Sequence, residues 1–268
     1  GGPDFGYRLV LQRLRDRPVQ ERWYLSDWKI AFVGAEPVQA ATLERFSERL
    51  RPAGFRGSAF MPCFGLAEST LLVNAVGRDA TWSTLDMPAA DPASTRSVVS
   101  NGPARSGRVE IVDPRTGELR PEGTVGEVWV QSPSVAKGYW GRPEETARTF
   151  GARLASDPGA GTWLRTGDLG AIRDGELLFA GRMKDLVIVR GRNLYPQDVE
   201  AAAAQSSELV YDGRVVAFGL DEQGEEQLVV AAETRIDGGD VAAVDALRQR
   251  IAEAVAHECG VRPYLLLL

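Results

Sequence analysis

Apolar and polar positions alternate with two periods along this chain. Residues 5–17 carry Leu9, Val10, Leu11 and Leu14 at helical spacing and are stopped by Pro18, which predicts an amphipathic helix. Residues 29–33 form a short apolar run. Residues 38–50 form a second helical pattern with Leu43, Phe46 and Leu50 on one face, ended by Pro52 and Gly54. Residues 59–64 are another buried strand. Strand, helix, strand with short connections predicts a parallel α/β arrangement, in which ligands bind at the carboxyl ends of the strands. Residues 34–36 and 65–68 occupy two such ends.

From 77 to 103 the chain is rich in Ala, Ser, Asp and Pro with no sustained period, as expected of a long loop or an inserted segment. Strand, turn and strand are predicted over 108–112, 113–118 and 125–131. A short helix with proline at its first position covers 143–150. Residues 169–173 and 176–180 read as a hairpin around Asp174-Gly175, a pair suited to a type I′ turn because both central residues need positive φ. The polar joint Gly181-Arg182-Met183-Lys184-Asp185 follows, then an apolar strand at 186–189, a glycine loop and a helix over 196–206. Strands at 214–219 and 227–233 and a helix over 241–258 complete a compact α+β unit. The apolar run 264–268 ends without a turn. It would be a sticky edge on a whole domain, so the chain reads as a piece of a longer protein.

Composition narrows the function classes. The 268 residues suffice for one large domain, or a domain plus a smaller one. A net charge of −6 and a pI near 5.1 give no electrostatic footprint for nucleic acid. No run has the length of a membrane span. Two cysteines, Cys63 and Cys259, suit a reducing, cytoplasmic setting as small core residues. His257 is the one histidine, which leaves little for histidine-based metal sites or Ser-His-Asp triads. Chemistry that needs a lysine must draw on Lys29, Lys137 or Lys184.

Four side chains stand out for chemistry, each with a plainer alternative. Asp168, in Thr166-Gly167-Asp168, has two oxygens that match a vicinal diol such as a ribose 2′,3′ pair; otherwise it caps a turn. Glu68 follows a glycine turn at a strand end and can hold Mg²⁺ beside substrate phosphates; otherwise it is a solvated loop acid. Phe64 can cover a flat base, or serve as a core aromatic. Arg182 can pair with phosphate or ribose oxygens, or form a surface ion pair.

In combination these residues resemble the adenylate-forming superfamily of acyl-CoA synthetases, peptide-synthetase adenylation domains and luciferases. Phe64-Gly65-Leu66-Ala67-Glu68 resembles its aromatic-Gly-x-Thr-Glu motif, with Ala67 in place of Thr. Gly126-Glu127-Val128-Trp129-Val130 followed by Gly138-Tyr139-Trp140 resembles the next motif. Arg165-Thr166-Gly167-Asp168 and residues 181–185 resemble the ribose-binding and hinge motifs. Within the superfamily the sequence is most similar to fatty acyl-AMP ligases, through residues 34–38, 63–72 and 190–198.

The resemblance implies an α/β fold: the carboxyl-terminal part of a large adenylate-forming domain, with a small β-barrel-like region, over residues 1–183. A small mobile α+β domain over 184–268 would turn about Lys184. It implies activation of a fatty acid with ATP and Mg²⁺ to acyl-AMP, then transfer to an acyl carrier protein, usually of a polyketide or peptide synthase. Gly34, Ala35, Glu36, Phe64 and Gly65 would line the adenine slot, and Asp168 would hold the ribose. Arg182 would support ribose or phosphate, Glu68 would serve Mg²⁺, and Phe5 and Tyr7 would lie near the acyl tunnel. The family's phosphate-gripping loop would precede Gly1, and its late lysine would follow Leu268, so this chain alone is expected to be inactive. Residues 77–103 occupy the place of the insertion that marks acyl-AMP ligases but are short for it. An acyl-CoA synthetase is the nearest alternative, and a non-catalytic module that binds nucleotide or carrier protein is the other.

Overall fold

The computed structural model describes residues 1–19, 22–88, 95–222 and 224–268. The chain divides into two compact units, residues 1–87 with 96–180, and residues 88–95 with 181–268.

The first unit begins with α1 (Asp4–Arg13), β1 (Ala31–Val33), α2 (Ala40–Leu50), β2 (Phe60–Leu66) and β3 (Leu71–Ala75). β1 and β2 are parallel, as the strand–helix–strand pattern predicts, and β3 returns antiparallel to β2. α2 buries Leu43, Phe46 and Leu50. The face of α1 differs from expectation. Asp4, Tyr7 and Leu14 are buried, whereas Leu9 and Val10 are exposed. Positions 4, 7, 11 and 14 share one side of a 3.6-residue helix, and burial of Asp4 on that side is made tolerable by its partners. Asp4 accepts from the Gln39 backbone N–H and the Thr42 hydroxyl, and pairs with Arg8. Under the sheet, the rings of Tyr7, Trp28, Phe46, Phe55 and Phe60 meet edge to face.

The segment read as a long loop or an inserted segment over 77–103 contains two paired strands, β4 (Thr84–Pro88) and β5 (Thr95–Val99). Residues 89–94 of that segment lie outside the described residues. β6 (Arg108–Val112), β7 (Gly126–Gln131), β8 (Leu164–Arg173) and β9 (Glu176–Arg182) form a four-stranded sheet in that order, with α3 (Pro143–Phe150) between β7 and β8. Among the described residues this sheet is open, with β6 and β9 at its edges, and so is not the barrel-like closure expected. Asp174 (φ +53°) and Gly175 (φ +76°) join β8 to β9 with the two positive φ values that the sequence predicts there.

The second unit starts with a hairpin, β10 (Val187–Val189) and β11 (Arg192–Leu194), turned by Arg190 and Gly191, both at positive φ. The glycine loop read there is thus a two-residue turn, and three-residue strands are too short to declare themselves by period. α4 (Pro196–Gln205), β12 (Val210–Glu222), β13 (Glu225–Thr234), α5 (Val241–Cys259) and β14 (Leu265–Leu267) follow. α4 and α5 bury Val199, Ala203, Leu247, Ile251 and Val255 with Leu228 and Val230 of β13. The apolar run near the end of the chain pairs, as β14, parallel to β13.

Candidate functional site

Asp168 sits on an irregularity in the four-stranded sheet. Glu127 of β7 faces Leu169 of β8, and Trp129 faces Arg165, so Val128 lies opposite residues 166–168. A bulge of this kind bends the strand and re-aims its side chains. It also takes backbone N–H groups out of the ladder, and each then needs another partner. The Gly167 N–H donates to Glu127 Oε1 (3.1 Å), and the Asp168 N–H to the Thr166 hydroxyl (3.0 Å). The Thr166 hydroxyl in turn donates to the Val128 carbonyl (2.7 Å). Gly167 takes φ +72°, which L side chains rarely adopt. The Asp168 side chain is 9 % exposed.

Glu127 is the fully buried carboxylate behind this bulge, at 1 % exposure. Its Oε2 accepts from Trp129 Nε1 (2.9 Å) and Arg165 Nε (3.0 Å), with Arg165 Nη2 at 2.8 Å. The Arg165 guanidinium also reaches the Pro114 carbonyl and lies over the Trp129 ring. Sequence reasoning passed over Glu127 as part of a motif. The available signal was a charged residue inside an otherwise apolar strand, Gly126-Glu127-Val128-Trp129-Val130.

The strand ends singled out in the sequence gather around Cys63. The Gly34 backbone lies so close that an added Cβ would meet the Cys63 carbonyl oxygen at 2.6 Å. At Gly65 the same test meets the Leu71 carbonyl oxygen at 1.7 Å, so only glycine fits the close approach of β2 and β3. Ala35 takes φ +68° at the turn after β1. The Asn101 side-chain amide donates to the Cys63 carbonyl and its backbone N–H to the Leu177 carbonyl, tying β2 to β9. Phe64 is buried with Val128, Val130, Leu164 and Leu177, its ring tilted 31° to that of Phe179. Phe64 and the strands that carry Glu127 and Asp168 therefore share one cluster.

Other candidates are placed differently. The Glu36 carboxylate accepts from the Phe5 backbone N–H and so serves the start of α1. Tyr7 belongs to the aromatic core, with its hydroxyl on the Phe32 carbonyl (2.9 Å), while Phe5 is exposed. Arg182 ends β9 and Lys184 lies in the single helical turn Met183–Asp185; both are exposed and belong to the second unit.

Glu68 lies in a short turn after β2, with Oε1 accepting from the Tyr139 hydroxyl (2.7 Å). Among the described residues no group of three or more His, Cys, Asp or Glu could hold a metal. One half-buried carboxylate with an oxygen held in place suits Mg²⁺, which takes one or two protein carboxylates and fills its other positions with water and phosphate oxygens. Burial first, then the bond to Glu68, pushes the Tyr139 phenol up to about 12 from 10.0. A folded value raised in this way contributes stability that is fully present below pH 10.0 and lost as pH rises through about 12. In an alkaline titration of tyrosinate absorbance, Tyr139→Phe is expected to remove one tyrosinate from the late transition. Loss from the transition at ordinary tyrosine pH instead would contradict the Tyr139–Glu68 bond.

Comparison with known proteins adds four findings. The AMP-binding enzyme family model matches residues 5–140. The chain is 39 % identical to the medium-chain-fatty-acid–[acyl-carrier-protein] ligase of Moorena producens, over 100 % of this chain and 47 % of that protein. It is 36 % identical to the long-chain-fatty-acid–AMP ligase of Mycobacterium marinum, over 97 % of this chain and 47 % of that protein. Among solved structures, one from a study of fatty acyl-adenylate ligases of E. coli and L. pneumophila superposes with a TM-score of 0.80 at 31 % identity. That match covers 100 % of this chain and 49 % of the other. The chain thus spans about half the length of the curated relatives it matches.

Proposed function

This chain belongs to the AMP-binding enzyme family, and on that premise we propose that it works in a fatty acyl-AMP ligase that uses ATP and passes its product to an acyl carrier protein. The observation that carries this reading is the bulge at residues 166–168, which holds the backbone of a buried aspartate on a sheet whose apolar side chains pack against Phe64. The similarity to ligases named for fatty acids, AMP and acyl carrier protein supports the same reading.

The reaction has two steps. A fatty acid carboxylate oxygen attacks the α-phosphorus of ATP, forming the acyl–phosphate bond of acyl-AMP and releasing pyrophosphate. The carrier's phosphopantetheine thiol then attacks the acyl carbonyl, loses its proton, and releases AMP. Asp168 accepts from the ribose hydroxyls and fixes the nucleotide. The turn at residues 34–36 with Phe64 and Gly65 borders the base, and Arg182 supports ribose or phosphate oxygens. Phe5, exposed on α1, lies near the acyl chain. Bound Mg²⁺ supplies charge neutralisation at the phosphates, and Glu68, oriented by Tyr139, would be its protein ligand. The small domain expected over 184–268 pivots about Lys184 between the two steps. A carrier of the polyketide or peptide synthase type would receive the acyl group. Cys63 and Cys259, in no disulfide among the described residues, fit a cytoplasmic, reducing setting.

The test is acid-dependent exchange of pyrophosphate into ATP by the full-length gene product. Fatty acids are expected to support exchange, and the 268-residue chain alone is not. Mass spectrometry then follows the acyl group in the presence of carrier protein or CoA; transfer to CoA alone would favour a synthetase. Tight AMP binding without exchange by any fatty acid would leave a non-catalytic nucleotide module.

A further inference from the structure

We infer that Glu127 is a positioning residue that sets the aim of the Asp168 carboxylate toward a nucleotide ribose. The inference rests on the reading of Asp168 proposed above. Glu127 is buried on β7, directly across from the bulge, and spends both oxygens on the segment that carries Asp168. Oε1 takes the Gly167 N–H that the bulge removes from the sheet ladder. Oε2 takes Arg165 Nε at the other end of the bulge, with Arg165 Nη2 close by, and is itself held by Trp129 Nε1. The two residues flanking Thr166 are thus gripped by one side chain. Thr166 closes the arrangement by donating to the Val128 carbonyl and accepting from the Asp168 N–H. Without Glu127, Gly167 at φ +72° would keep its conformational freedom and lose its partner.

A neutral amide cannot replace this carboxylate. Every group around Glu127 is a donor: one N–H faces Oε1, and indole and guanidinium N–H groups face Oε2. Glutamine offers one acceptor oxygen and one NH₂, so either orientation points N–H at N–H. Glu127→Gln therefore disturbs the bulge while preserving side-chain size, and its effect is specific to whatever the bulge aims.

The experiment is calorimetric titration of the full-length gene product with AMP and with 3′-deoxy-AMP, for wild type, Glu127→Gln, Asp168→Asn and the double variant. Wild type is expected to prefer AMP by about tenfold, the worth of one hydrogen bond to a charged group. In Glu127→Gln that preference should collapse, with 3′-deoxy-AMP binding little changed. The double variant should bind AMP no worse than Asp168→Asn alone, because the two residues act through one contact. A merely structural role would weaken both nucleotides equally, or add to the Asp168→Asn loss, and either result overturns the inference. Preference retained in Glu127→Gln overturns it too and leaves the ribose reading intact. A wild type that binds both nucleotides alike, or neither, overturns the ribose reading and this inference with it. Should Glu127→Gln fail to give a cooperative thermal transition, Arg165→Lys, which keeps the charge but loses the planar fork, is expected to show the same collapse.

Discussion

Asp168→Asn in the full-length gene product is expected to lower kcat/KM for ATP by about a hundredfold in acid-dependent pyrophosphate release. A carboxylate offers an acceptor oxygen to each of two neighbouring hydroxyls, and the amide converts one of those acceptors to a donor. Each hydrogen bond to a charged group is worth about 1.5–3 kcal/mol, so one lost and one weakened give a loss of about 2–3 kcal/mol. The ribose does not react, so its contacts are made equally before and in the transition state. The loss should therefore appear mainly as a raised KM for ATP, with kcat changed little. A KM within twofold of wild type would remove Asp168 from the nucleotide site. The bulge explains why the effect should be local: the N–H groups of residues 167 and 168 are held by the Glu127 carboxylate and the Thr166 hydroxyl.

Phe46→Ala should lower the unfolding free energy by about 3–5 kcal/mol, the range for a fully buried phenylalanine cut to alanine. Phe46 is 2 % exposed, and its ring meets those of Tyr7, Trp28, Phe55 and Phe60 at centroid distances of 5.0, 6.3, 5.2 and 5.7 Å. Edge-to-face pairs add about 0.5–1.5 kcal/mol each beyond the area they bury, and the four rings come from separate segments that cannot collapse together into the space. Equilibrium urea unfolding is the measurement, with the midpoint falling at constant slope. A loss below about 1 kcal/mol would mean that the cluster repacks readily. The cluster also matters to the site. Phe60 and Tyr7 support β2 and β1, whose carboxyl ends carry Gly34, Ala35, Phe64 and Gly65, so partial unfolding here should weaken nucleotide binding in parallel.

Local pattern alone determined a good part of this protein. The period of Leu43, Phe46 and Leu50 placed α2 and its buried face, and the apolar runs on either side placed the parallel pair β1 and β2. Asp174-Gly175 placed the hairpin, because a two-residue turn between twisted strands demands positive φ at both positions. The motif at residues 165–168 marked the bulge segment before its shape was visible. Tertiary structure decided the rest. The buried face of α1 passes through Asp4 rather than Leu9 because Gln39, Thr42 and Arg8 converge on that carboxylate, and a helical period counts apolar residues only. The pairing of Tyr139 with Glu68 spans 71 residues, and that of Glu127 with Arg165 spans 38. Such pairings depend on strand register and on which N–H groups a bulge sets free. Those quantities exist only once two strands distant in sequence have met, so no window along the chain encodes them.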